Sequence, residues 1–320
     1  MDLAAQGAII DAVHPGTPGW GSWRGPLAAV LCLWLAVGLL AACGAPTATG
    51  SPPATATAVE VPTATAAVTS TAAATATSTA AATGDGGTEC QIGTGLRQET
   101  VPVLLAYEGP PGMVMAASSQ LAEEHFDQFE GWIRVLGAPS LEALQQKAQR
   151  AQDRGLAYEA LAYGLETTAT TPEEEWQDMV AATTQARAIA DRYGKLLLMG
   201  PGFRLMSQHE DAYAGMAALA DIWMLQTQRL QLSPPGPEYR QEVERIVSLI
   251  QAGNPQISVW AQITLPPDRE PDAEEWLAYR AAIADLVDGT YLGIYTWRTE
   301  DEALLVTTMD EILAGACAVP

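Results

Sequence analysis

From residue 101 to residue 297 the chain repeats one pattern: a short, almost wholly apolar run, then a longer stretch with helical spacing. This alternation constrains the fold more than any other feature. The apolar runs lie at 101–107, 132–136, 156–165, 195–199, 221–226, 256–265 and 291–297, with an eighth candidate at 113–117. They are continuously apolar rather than alternating, so both faces of the sheet must be covered, as in parallel sheets flanked by helices. Helical patterns fall near 119–130, 140–153, 173–193, 208–218, 237–252, 273–287 and 300–314. Thr171-Pro172 ahead of the acids at 173–175, and Pro271-Asp272 ahead of Glu274 and Glu275, are helix-start signals, and Gly194 and Gly253 read as stops. The expected fold is a closed (β/α)8 barrel, with an open doubly wound sheet as the alternative. No nucleotide fingerprint follows the first run: Glu108-Gly109-Pro110-Pro111-Gly112 is a turn, and there is no P-loop.

Charge sets the limits of this domain. The 320 residues carry a net charge of −22, yet only 17% of them are charged. A long neutral stretch reconciles the two. No charged residue occurs from Gly25 to Val59, and residues 44–88 hold only Glu60 and Asp85. Residues 89–320 therefore contain 34 acids and 15 bases, a net of −19. A domain this acidic is repelled by phosphate backbones, so no nucleic-acid partner is expected. Nor will charge draw it to anionic lipid.

The neutral stretch reads as an address and a tether. Residues 27–40 (LAAVLCLWLAVGLL) are an apolar run of 14 after Arg24, too short for a comfortable membrane span. The stretch 25–42 has 18 residues, which keeps an uncleaved anchor in play. Residues 1–42 are expected to be a signal region, although 1–23 hold Asp2, Asp11 and no base, which suggests a later translation start. Residues 44–88 are Ala, Thr, Pro, Ser, Gly and Val almost throughout and cannot bury enough apolar surface to fold. With Cys43 they form a disordered linker, 43–88, spanning roughly 35–40 Å. Outside the signal and the linker, the domain 89–320 keeps Cys90 and Cys317 at its two ends, and an exported protein is expected to join them as a disulfide, two unpaired thiols being the alternative. The domain's only histidines, His125 and His209, show no ligand spacing, so no metal and no cofactor is expected.

Barrel active sites lie where the strands end. By that rule the candidate ligand-binding residues are Tyr107, Tyr163, Arg204, Gln226, Gln228, Gln262, Tyr295 and Trp297, with Trp260 beside them. Aromatic faces stack on sugars, and amides on apolar strands need a buried partner or a ligand. Glu166 is the candidate catalytic acid. Period-2 geometry puts it on one face with Ala160, Ala162 and Gly164, and Glu159 on the other. Glu108 is its expected second carboxylate, then Glu300 or Asp301.

Two segments resemble known proteins. Residues 159–166 (EALAYGLE) are similar to the acidic strand of chitinase-like family 18 glycoside hydrolases, and Trp297 resembles the Trp that closes that family's last strand. The resemblance implies Glu166 as general acid, but Ala162 and Gly164 stand where that family has further acids. Cys43 completes Leu40-Ala41-Ala42-Cys43, which resembles the bacterial lipobox and implies a lipid on Cys43. The pattern over 101–297 is also similar to uncharacterised glycosidase-like barrel proteins. Together these imply a membrane-anchored, extracytoplasmic glycoside-hydrolase-like protein acting on a carbohydrate. A lipoprotein that binds a glycan or other small-molecule ligand without turning it over, and a two-lobed solute-binding lipoprotein, are the alternatives.

Overall fold

The computed structural model describes residues 91–316, apart from 168, 232–233, 265–271 and 294–301. The signal region 1–42, the linker 43–88, Cys43, Cys90, Cys317, Tyr295, Trp297, Glu300 and Asp301 lie outside the described residues. Eight parallel strands form a closed barrel in sequence order: β1 (Ile92–Gly95), β2 (Met113–Ala116), β3 (Ile133–Ala138), β4 (Ala160–Tyr163), β5 (Leu196–Met199), β6 (Ile222–Gln226), β7 (Ser258–Thr264) and β8 (Gly289–Gly293). β1 pairs with both β2 and β8, which closes the ring and excludes both the open sheet and the two-lobed reading. Among the described residues no helix is long and apolar enough to cross a membrane.

The first strand is not the run at 101–107. That segment is helix α1 (Val101–Ala106), with Pro102 in its first turn. Proline lacks an N–H, so it suits a helix start and would interrupt a central ladder. The true β1 is Ile-Gly-Thr-Gly, too short and too glycine-rich to read as an apolar run. The helices that follow are α2 (Ser119–His125), α3 (Leu141–Arg154), α4 (Glu173–Gln177), α5 (Met179–Tyr193), α6 (Phe203–Met206), α7 (Ala212–Ala217), α8 (Pro237–Gly253), α9 (Ala273–Ile283) and α10 (Glu302–Ala316). Ser118, Ser140, Asp178 and Asp272 cap α2, α3, α5 and α9 through their side chains. Gly194 ends α5 in the left-handed conformation at φ 62°. Gly253 is the last residue of α8, and Asn254 after it is the cap. Thr171 does not cap α4: its hydroxyl donates to Pro139 O at 2.7 Å.

Alternate strand residues fill the barrel. Met113, Val135, Ala160, Ala162, Leu198, Ile222, Met224, Trp260 and Tyr291 pack together inside it. Trp260 and Tyr291 supply most of the volume, opposite Ala160 and Ala162. Gly289 makes this possible, since a Cβ there would sit 2.6 Å from the Trp260 ring. The other strand face packs on the helices, and Tyr163 and Trp223 belong to that outer layer.

The N-terminal end of the barrel is tied by acids set at a regular place. Glu159, Asp221 and Asp288 each stand one residue before an even-numbered strand. Each accepts a backbone N–H from the strand before it: Arg134 N at 2.8 Å, Leu197 N at 2.8 Å and Val259 N at 2.7 Å. In the remaining pair the position is Gly112, whose Cβ would collide with Ile92 O. Arg134 adds two side-chain bonds to Glu159, at 3.1 and 2.6 Å, and Arg187 binds Asp221 at 2.5 Å. Burial alone would raise the Glu159 carboxyl, but the bonds and charge of Arg134 and the charge of Lys195 together hold it below the usual range.

Candidate functional site

At the C-terminal mouth the chain leaves β4 through Gly164-Leu165 to Glu166. The inner-face alternation carries on past the strand, which brings Glu166 over Ala160, Ala162 and Gly164. The neighbouring β5 connection follows it: Gly200 N donates to Tyr163 O at 3.1 Å and Gly202 N to Leu165 O at 2.9 Å. A Cβ on Gly202 would lie 3.3 Å from Glu166 Cγ, so the backbone there packs directly on the acid's stem.

β6 ends in Gln226, buried on the inner face. Its Nε2 donates to Glu166 Oε1 at 2.9 Å and to Gly200 O at 3.2 Å. Gln228 Nε2 donates in turn to Gln226 Oε1 at 3.1 Å. The result is a chain of two amides ending on a carboxylate. β7 contributes Gln262, also buried, whose Nε2 reaches Thr264 Oγ1 at 3.5 Å. Gly293 at the end of β8 leaves space for both, since a Cβ there would meet Thr264 Oγ1. Gln231 completes the β7 end as another strand would: its amide donates to Thr264 O and accepts from Thr264 N, both at 2.9 Å. Thr227 Oγ1 donates to Gln262 O at 2.7 Å and accepts from the Tyr239 hydroxyl at 3.3 Å.

The mouth thus gathers Glu166, Gln226, Gln228 and Gln262 as the sequence suggests. Arg204, in α6, and Arg229 are exposed. The expected aromatic rim does not form from the described residues. Tyr107 follows α1 at the opposite end of the barrel, edge-on to Trp132 at 6.0 Å, and burial raises its hydroxyl pKa. Trp132 directly precedes β3, which marks that end as the N-terminal one. Tyr163 points out of the barrel: its hydroxyl donates to Glu175 at 2.7 Å, and burial followed by that carboxylate raises its pKa far above the ordinary value. Trp260 forms the floor inside. Glu175, in the run of acids that starts α4, is buried and also accepts from Leu141 N at the start of α3. Lys147, in α3, reaches the carbonyls of Ala117 and Gly137 where β2 and β3 end, and burial lowers its pKa to about 8.

Sequence reasoning missed Gln231, Thr264 and Glu175. Gln231 and Glu175 lie outside strands, where no periodicity marks them. Thr264 does lie on the inner face, two residues beyond Gln262, and period 2 alone would have found it. A hollow of about 480 Å3 opens beside Gln145, Gln149, Arg150 and Arg154, but one helix supplies its lining and it does not lie over Glu166. Among the described residues no group of three or more His, Cys, Asp or Glu is placed to hold a metal ion.

The glycoside-hydrolase expectation is corrected by this geometry. Glu108 is an exposed residue of the connection between α1 and β2, at the far end of the barrel from Glu166, so the two cannot flank one glycosidic bond. The glycan-binding alternative loses its support as well, because Tyr107, Tyr163 and Trp260 offer no stacking face at the mouth. No protein-family model matches the chain, and no curated protein matches its sequence. The solved structures similar to it include three enzymes. Tryptophan synthase from M. tuberculosis is 13% identical, covering 72% of this chain and 94% of that one, with a TM-score of 0.48. 3-Keto-L-gulonate-6-phosphate decarboxylase from Vibrio cholerae is 10% identical over 71% of this chain and 98% of that one, at 0.42. An archaeal fructose-1,6-bisphosphate aldolase is 11% identical over 71% and 95%, also at 0.42. The strand order and closure of the chain itself are those of a (β/α)8 barrel.

Proposed function

We propose that the barrel is an enzyme that moves a proton on a small polar molecule with one carboxylate, Glu166. The observation that carries this reading is the bond from Gln226 Nε2 to Glu166 Oε1 at the C-terminal mouth. The amide orients the acid, as a general base requires. The small side chains beneath, Ala160, Ala162 and Gly164, leave room for a substrate of a few carbons. With Glu108 at the other end of the barrel, the fitting reaction is removal and return of a proton beside a carbonyl, which needs one base. The full chain, incubated in deuterium oxide with a panel of small hydroxycarbonyl compounds, should place deuterium beside the carbonyl, as followed by proton NMR. Glu166→Gln should abolish the exchange and leave the fold intact. No exchange across the panel, or equal exchange in the variant, sinks the proposal.

The domain's location is part of this reading. Leu40-Ala41-Ala42-Cys43 after the apolar run supports a lipid on Cys43 and a domain outside the cytoplasm. Labelling with an alkyne fatty acid should mark the chain, and Cys43→Ser should lose the label and leave the membrane fraction. A disulfide between Cys90 and Cys317 fits the same compartment. Intact mass should rise by two hydrogen atoms on treatment with reductant.

A further inference from the structure

Glu166 stands three residues past Tyr163, the end of β4, with Gly164 between them. Glycine leaves the backbone free to turn, and a Cβ there would meet nothing closer than Ala138 O at 3.8 Å. The direction of Glu166 therefore depends on what holds the chain on both sides of this joint. On the β5 side, Leu165 is buried in the outer layer and its carbonyl accepts from Gly202 N at 2.9 Å. On the β3 side, the segment that carries Glu166 comes back over the end of the neighbouring strand. Thr171 Oγ1 donates to Pro139 O at 2.7 Å, and Glu175 Oε2 accepts both from Leu141 N at 3.1 Å and from the Tyr163 hydroxyl at 2.7 Å. The chain thus closes on the strand end it left. The clasp is dry, with Glu175 7% exposed and Tyr163 0%. Its carboxylate sits at the N-terminus of the 14-residue α3, whose dipole favours a negative charge there.

We infer that Glu175 is a positioning residue: through the Tyr163 hydroxyl it closes the segment 164–174 and so aims Glu166 at Gln226. This rests on the reading of Glu166 as the working group. The clasp lies on the outer face of the barrel and Glu166 on the inner one, so Glu175 acts only through the backbone between them. A working group depends on the shell that supports it, because a displacement of about 1 Å costs as much as about 10²-fold in rate. The tie is also directional. Both bonds end on a single oxygen, so a side chain of the same length without that oxygen fills the space but does not hold the strand end.

The side-chain amide of Gln226 reports the outcome, since its Nε2 donates to Glu166. Its resonances in the full chain are identified by their loss in Gln226→Met. Tyr163→Phe removes the hydroxyl of the clasp, and Glu175→Met removes the acceptor. Both should move the Gln226 amide resonances. Tyr158→Phe, which removes a buried hydroxyl with no partner among the described residues two positions before β4, should leave them in place. Glu175→Gln keeps an oxygen for both donors and should restore the parent position. In the deuterium-exchange assay Tyr163→Phe should lower kcat about tenfold with KM unchanged. Glu175→Gln should recover most of that rate. Resonances that stay in place in Tyr163→Phe, that move as far in Tyr158→Phe, or that fail to return in Glu175→Gln overturn the inference, as does a loss that falls on KM alone. If the resonances follow the clasp while the parent shows no exchange, the reading of Glu166 fails and the positioning role of Glu175 stands.

Discussion

At the N-terminal end of the barrel Glu159 and Asp221 each meet a guanidinium and a strand N–H, while at the C-terminal end Glu166 meets the neutral amide of Gln226. The first arrangement commits the carboxylates to backbone and guanidinium bonds. The second holds a carboxylate in place, and its amide chain ends on a buried oxygen that the described residues leave open. At one rim the carboxylates hold the strand backbone, and at the other the carboxylate meets a side-chain amide from β6.

The comparison can be broken or sharpened by experiment. The largest effect belongs to the floor that both rims share: Trp260→Ala should cost about 3–5 kcal/mol in urea unfolding. A cost below about 1 kcal/mol would mean that the barrel does not rest on this ring. Glu159→Ala should cost about 1–2 kcal/mol, because Arg134 loses its partner at a half-exposed site. Glu166→Gln should change stability by less than about 0.5 kcal/mol, and a cost as large as that of Glu159→Ala would erase the distinction between the rims. Acid unfolding offers a finer contrast. The Glu159 carboxyl is lowered in the folded state, so its contribution is present above the unfolded pKa and lost as pH falls through the folded one. Glu159→Gln should flatten the acid limb of a stability profile. An alkaline contrast concerns Lys147, lowered to about 8. Between about 8 and the ordinary 10.5 the unfolded chain binds more protons, so stability should rise with pH there, and Lys147→Met should remove that rise.

Much of the barrel was legible because burial on both faces leaves a continuous apolar run, and β3 to β7 were found that way. β1 was not, because Ile-Gly-Thr-Gly carries little apolar surface and depends on pairing with β2 and β8. α1 was misread for the converse reason: Val-Pro-Val-Leu-Leu-Ala is apolar in either conformation, and Pro102 is the residue that decides. Within the site, Glu166, Gln226, Gln228 and Gln262 were visible as polar residues where apolar runs end. Tyr107 and Glu108 were misplaced with α1, since an error in one strand exchanges the two ends of the barrel. Tyr163 and Trp260 were identified as residues but not by direction. Tyr163 has the outward parity, and Trp260 has the inward parity but sits too deep to be reached.

The sequence alone determined the fold class and the strand-end polar residues, because hydrophobic period and residue type are local properties. Only the tertiary structure decided which carboxylates share a space. That depends on which end of each strand a residue occupies, and on ring closure between strands distant in the chain. Glu108 and Glu166 look alike in sequence, each a glutamate at the end of an apolar run. The barrel parts them because 101–107 coils and 160–163 extends, which leaves one acid on each rim.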